Sequence, residues 1–262
     1  MIDEEKSKML TVLLSPSKKL DESKTKISKA SQLVFKDEAL ELAAIMKGYS
    51  KQDIQDLMSL SDNLTEVNYK RFQEFEKDFS LDKKAKQALY LFKGDVYDKM
   101  DVDGYSDSDL EFAQQRIRIL SGLYGYVRPL DLIQPYRLEM GKKVANNNGK
   151  DLYAFWKDRT VHKINEENSN GTIINLASNE YFKSINTKEL NANLVNVNMK
   201  QNKNGQIKTI GLMAKRARGL MADYIIKNRI EDVESLKNFD SEGYKYREDL
   251  SDDKHITFVL DM

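Results

Sequence analysis

The chain has 262 residues carrying 42 basic and 42 acidic side chains, so its formal net charge is zero and bulk electrostatics name no polyanionic partner. With no cysteine and only His162 and His255, it excludes disulfides, thiolate catalysis, Cys-ligated zinc or iron–sulfur clusters and a histidine-rich metal site. The length suffices for a substantial core, no Pro/Gly/Ser-rich linker or repeat divides it, and no apolar run approaches a membrane span; one soluble, cytoplasmic domain with neither metal nor cofactor is expected.

Residues 1–9 are polar and read as a flexible extension before a domain spanning 10–262. Thr11–Leu14 is a short apolar strand ended by Ser15-Pro16, and Ser17, Lys18 and Lys19 follow on the loop, where Lys18 is either a ligand-reaching cation or an ordinary surface lysine. Helical spacing predicts helices over Ser31–Lys47, Lys51–Leu60 and Asn68–Phe79, with Lys70 and Arg71 opening the third. Gln87–Phe92 reads as a strand, followed by a turn, Lys93-Gly-Asp-Val-Tyr97, that carries Asp95. Ser106 and Asp109 have capping-box spacing and start a helix predicted to run to Gly122. Leu110, Ala113, Ile117 and Leu120 would line one side of it and Phe112 and Ile119 the other, the pattern of a helix sandwiched in a core.

The segment that follows, Gly122–Gly141, has a path constrained by Pro129 and Pro135, and it presents Arg128, Asp131, Arg137 and Glu139 among Tyr124, Tyr126 and Tyr136. Guanidinium groups on a stiff backbone lose little entropy on gripping an anion, although Arg128–Asp131 and Arg137–Glu139 also read as structural ion pairs. A turn at Asn146–Gly149 leads into a helix over Asp151–Asn168, on which His162 is a surface or packing residue. Thr172–Ala177 is a buried strand, and the polar cluster Ser178, Asn179, Glu180, Tyr181 and Lys183 stands where it gives way to a helix. Leu194–Met199 and Gln206–Leu212 form a hairpin through Asn202–Gly205, and a helix then runs from Ala214 to Arg229. No acidic residue occurs between Leu190 and Ala222, whereas Lys200, Lys203, Lys208, Lys215, Arg216 and Arg218 all do. The chain is neutral overall, so this is segregation of charge, and these side chains could make a phosphate-tracking stripe. His255–Leu260 is a last strand.

The constrained central segment, together with Phe92–Tyr97, Gly149–Tyr153, Ile174–Lys183 and Lys215–Gly219, resembles the bacterial YaaA family of peroxide-stress proteins, in order, from about Leu10 to Tyr244. The resemblance implies a mixed α/β fold, a core sheet flanked by helices, with a positively charged cleft and a helix-hairpin-helix element. It also implies a DNA-binding protein of the oxidative-stress response that limits iron-associated damage. Leu64–Asn68 occupies the place of the family's hairpin turn, but Glu66 and Asn68 stand where glycines present N–H groups best to a phosphate.

Two functions from different classes remain open at this point. The first is sequence-tolerant binding of duplex, damaged or branched DNA through Lys70, Arg71, Arg128, Arg137, Lys183 and the cations of 200–218. The second is an enzyme acting on a nucleotide, nucleobase or other anionic small molecule, with Lys18, Asp95, Glu180 and Tyr181 as candidate catalytic groups. Direct iron handling by Asp95, Glu139 and Glu180 ranks last, for want of cysteine or paired histidines.

Overall fold

The computed structural model describes residues 9–81 and 83–262; of the expected N-terminal extension, only Met9 falls among them. The fully buried β1 (Leu10–Leu14) is followed by β2 (Lys19–Leu20), and the helices α1 (Lys36–Lys47), α2 (Lys51–Met58) and α3 (Asp62–Gln73) come next. α1 starts later than its apolar spacing suggests. Ser31 is held extended instead, its N–H donating to Leu130 O at 2.8 Å and its hydroxyl to Asp131 Oδ1 at 2.6 Å. Leu64–Asn68 is not a turn. It lies inside α3, where Thr65 donates to Ser61 O and Asn68 to Leu64 O, and the link between α2 and α3 is Ser59–Ser61, with Ser59 left-handed at φ 52°. Glu66 therefore sits on the helix wall, paired with Lys51, and Lys70 and Arg71 fall in the last turn of α3 rather than opening a helix.

Beyond these helices come β3 (Lys86–Gln87), α4 (Ala88–Leu91) and β4 (Phe92–Lys93). The apolar run Ala88–Phe92 thus becomes a helical turn and not one strand, because the N–H groups of Ala88 and Leu89 are taken by Asp131 O and Pro129 O, each at 2.9 Å. A 3-10 turn at Tyr97–Lys99 precedes α5 (Asp107–Arg116), whose Ser106–Asp109 capping box forms as expected. α5 stops at Arg116, however, and β5 (Ile117–Ser121) takes over. The two-sided apolar pattern was that of a helix followed by a strand buried on both faces. The β-branched Ile117 and Ile119 gain more by pairing with β1, as Val12↔Ile117 and Leu14↔Ile119, than by extending a helix.

The chain then forms β6 (Gly125–Val127), β7 (Leu132–Ile133), α6 (Leu152–Glu167), β8 (Thr172–Asn175) and α7 (Asn179–Phe182). β9 (Asn193–Lys203), β10 (Gln206–Lys208), α8 (Gly211–Lys227), α9 (Val233–Leu236), β11 (Lys245–Tyr246) and β12 (His255–Asp261) complete it. The result is a single mixed α/β domain around an eight-stranded sheet of order β11-β12-β9-β8-β1-β5-β6, with β10 paired to β9. β12, β9, β8, β1 and β5 are mutually parallel. From β1 the chain goes to β5 on one side and later returns to β8 on the other. β1 is thus the point at which strand order reverses, and loops leaving the carboxyl ends of its strands diverge to open a crevice, the usual ligand position in such sheets. Among the described residues no helix is long and apolar enough to cross a membrane.

Candidate functional site

Three loops leave the carboxyl ends of β1, β5 and β8 side by side. Ser178 N–H donates to Ser15 Oγ at 2.8 Å, joining the loops after β8 and β1. Tyr97 reaches the same place, its hydroxyl donating to Ser15 O at 2.8 Å. At the end of β5, Ser121 Oγ lies 2.6 Å from Tyr136 Oη. Gly122 is required here by close approach, since a Cβ on it would lie 2.3 Å from Leu138 O. With only hydrogen at that position, Leu138–Glu139 crosses directly over the strand end and carries Glu139 into the crevice. Trp156 fixes the crossing from below, its Nε1–H donating to Gly122 O at 2.9 Å.

Glu139 is the centre of this arrangement. Its side chain is 6% exposed, Lys18 Nζ lies 2.8 Å from its Oε1, and Arg137 Nη2 lies 3.5 Å from the same oxygen. Burial pushes the carboxyl up, but the Lys18 ammonium and Arg137 outweigh it and hold it below its ordinary value, so Glu139 is ionised at neutral pH. Its Oε2 and the Nε of Arg137 are buried and have no hydrogen-bond partner among the described residues. A buried acceptor and donor left open together are costly, and such groups recur where a ligand or an ordered water completes them. Glu180 joins from β8's side: its Oε1 accepts from Gly141 N–H at 3.1 Å, and its carbonyl accepts from Tyr153 Oη at 2.8 Å. Tyr181 is buried beside it. Burial first, then Tyr136 and the carboxylates of Glu180 and Glu139, raise its phenol well above the ordinary range, so it can donate but not ionise.

The crevice therefore assembles Lys18, Arg137, Glu139, Glu180 and Tyr181, with Asp95 on the neighbouring turn, where Gly94 faces Ser17. Arg128 is elsewhere. β6 runs antiparallel to β5 and delivers it to the opposite end of the sheet, where its guanidinium binds Asp131 Oδ1 at 2.9 Å and Gln32 O at 2.9 Å. Asp131 is wholly buried and also accepts from Arg128 N–H at 2.8 Å, so this pair closes a turn and is not part of the crevice. Lys70 and Arg71 are engaged with Glu74 and Glu22, and Lys183 is exposed at the end of α7. Sequence reading passed over Ser15, Ser121, Tyr136 and Gly141 in this role. Only Ser15, placed between a strand and Pro16, carried a local hint.

The cations of 200–218 stand over the same edge. β9 continues past its last contact with β8, at Asn196, to Lys203, roughly 23 Å at about 3.3 Å per residue, and with β12 paired alongside it as far as Asn202 it carries the β9–β10 hairpin beyond the end of β8. Ile210 N–H donates to Gln201 Oε1 at 2.8 Å and starts α8 beside β9. α8 then comes down against the 3-10 turn, so tightly that a Cβ on Gly219 would lie 1.9 Å from Val96 O. Strand alternation puts Lys203, and Lys208 opposite Gln201, on the α8 face of the hairpin, while Lys200 points to the other face. Lys215 and Arg216 are exposed on α8, and Arg218 is half-buried, its charge disfavoured by burial alone. Among the described residues none of these cations lies within ion-pair distance of a carboxylate, whereas Lys227 at the far end of α8 pairs with Asp101 and Asp223.

A family model described as Peroxide stress protein YaaA matches residues 9–250 of the chain. Over 255 residues the chain is 47% identical to a UPF0246 protein of Legionella pneumophila (strain Lens), covering 96% of this chain and 99% of that protein. It is 45% identical over 254 residues to a UPF0246 protein of Alteromonas mediterranea, covering 95% and 98%. Identity to a UPF0246 protein of Teredinibacter turnerae is 47% over 247 residues, covering 93% and 96%.

Proposed function

We propose a function for this chain, which belongs to the YaaA family of peroxide stress proteins: within the oxidative-stress response it binds DNA through the phosphate backbone, with little sequence preference. The observation that carries this reading is the run of cations Lys203, Lys208, Lys215, Arg216 and Arg218, which has no ion-pair partner among the described residues and lies on a hairpin and its adjoining helix in a chain of zero net charge. Cations spaced along a hairpin and a helix match a repeating phosphate without base-reading geometry, so affinity without specificity follows. Binding that neutralises phosphates releases condensed cations from the backbone. Ferrous iron held there would be displaced with the rest, which gives protection against iron-associated damage without an iron site in the protein. The test is equilibrium binding to two unrelated duplexes across a salt series. Parallel lines are expected, falling with a slope of roughly −0.9 per phosphate neutralised, or about −4.5 for these five cations. Binding that is independent of salt, or that distinguishes the two duplexes by sequence, would remove the reading.

A second reading rests on the open Glu139 Oε2 and Arg137 Nε, an adjacent acceptor and donor in a crevice at the strand-order switch. It is an enzyme acting on a nucleotide, nucleobase or other anionic small molecule, with Glu139 as general base or orienting acceptor and Lys18 and Arg137 holding negative charge. If so, turnover detected in a panel of nucleotides and nucleosides should fall by at least about 100-fold in Glu139→Gln, which keeps shape and removes charge. Undiminished turnover in that variant, or none by the wild type over the whole panel, argues against it.

A further inference from the structure

A cavity of about 570 Å³ lies between α3, the loop after β2 and the segment leading into β3, and no member of the Lys18–Glu139 cluster lines it. Its size is that of a small-molecule site. Its walls are cationic in excess. Of the acids lining it, Glu22 is taken by Arg71, and Glu74 by Lys84 at 2.7 Å and Lys70 at 3.8 Å. Lys24 and Lys83, also on the wall, have no carboxylate within ion-pair distance among the described residues. Lys86 lies deeper, its side chain 9% exposed, with its ammonium 2.7 Å from Asp21 O and 3.7 Å from the Asp21 carboxylate. Beside it the β2–β4 ladder sets Lys19 directly opposite Lys93, a like-charge pair that costs stability, and the Lys93 charge reaches both Lys86 and Asp21.

The remaining lining is aliphatic, from Ile27, Val67, Leu81 and Leu91 with Ala85 and Pro135. Val67 and Leu81 are among the few large apolar side chains that the fold leaves exposed. Among the described residues no aromatic ring lines the cavity, so none of them offers a nucleobase a stacking surface. Charge selects an anion and the walls select an aliphatic body. We propose that this cavity binds a small amphipathic anion, an aliphatic chain ending in a carboxylate or phosphate, with Lys86, Lys24 and Lys83 around the head group and Ile27, Val67, Leu81 and Leu91 along the chain. This inference is independent of the DNA-binding reading.

Calorimetric titration of the full chain with decanoate, decyl phosphate, decan-1-ol, inorganic phosphate and adenosine monophosphate tests it. Saturable binding of decanoate or decyl phosphate is expected, whichever is tighter naming the head group, with decan-1-ol weaker by about tenfold or more for want of charge. Lys86→Met should weaken the anion by a similar factor. Lys86 is buried, so Val67→Glu serves as the second variant: it is on an exposed helix face, adds a carboxylate to the wall and should weaken decanoate while leaving thermal unfolding unchanged. The proposal is overturned if neither decyl anion saturates, if decan-1-ol or inorganic phosphate binds as well as decanoate, if adenosine monophosphate binds more tightly, or if Val67→Glu leaves decanoate affinity intact.

Discussion

Replacing Lys215, Arg216 and Arg218 together by alanine is expected to weaken binding to any duplex by roughly a hundredfold at low salt, on the order of 1 kcal/mol per lost phosphate contact. The slope of log K against log salt should flatten by about 2.7, because each contact contributes roughly 0.9. The fold should survive. Lys215 and Arg216 are exposed and make no ion pair among the described residues, and alanine is the better helix former at all three positions. Arg218 alone gives up packing of its stem as well as its charge. Lys200→Ala is the internal control, since its side chain leaves β9 on the face away from α8 and should change the slope little. A triple variant with unaltered slope would take α8 out of the interface.

The largest loss of stability is expected at the other end of the sheet, from Asp131→Ala. Asp131 is wholly buried and accepts from Arg128 N–H at 2.8 Å, Arg128 Nη2 at 2.9 Å and Ser31 Oγ at 2.6 Å, so it both closes its own turn and ties that turn to the segment at Ser31. Removing it leaves a half-buried guanidinium and a hydroxyl without their acceptor, a change that costs about 3–5 kcal/mol. In a chain of this size that lowers Tm by roughly 10 °C. DNA affinity of the folded fraction should be unchanged, because Arg128 leaves β6 at the end of the sheet remote from α8's basic turn. Thermal unfolding and duplex titration of the one variant separate the outcomes. Unchanged Tm with lost binding would restore Arg128 to the binding surface; lost Tm with retained binding confirms a structural pair.

Composition and local pattern made much of this protein legible. The absence of cysteine, the missing linker, the buried strand Thr11–Leu14, the strand expected over Thr172–Ala177 and formed over Thr172–Asn175, the Ser106–Asp109 capping box and the 202–205 hairpin were all readable, because each is set by residues adjacent in sequence. The family motifs were also readable, and the peroxide-stress family they implied is the one whose model matches residues 9–250. What misled was periodicity over short apolar runs. Ala88–Phe92 and Ile117–Ser121 each suit helix or strand, and the choice fell to partners far away in sequence: carbonyls of Pro129 and Asp131 for the first, β1 for the second.

Arg128 and Arg137 show where the sequence by itself stops. Both are arginines within two residues of a proline and with a carboxylate two or three residues on, and neither spacing says which one enters the site. The chain determined that the 200–218 segment is basic and unbalanced, since charge segregation is a property of composition. Only the tertiary structure decided that Arg128 closes a turn while Arg137, with Lys18, Glu139, Glu180 and Tyr181, enters the crevice at the strand ends. The reason is that β6 folds back antiparallel on β5 and carries Arg128 to one end of the sheet, while the missing side chain of Gly122 lets Leu138–Glu139 cross the other. Pairing direction and close approach are relations between distant segments, and neither is written in the spacing of neighbouring residues.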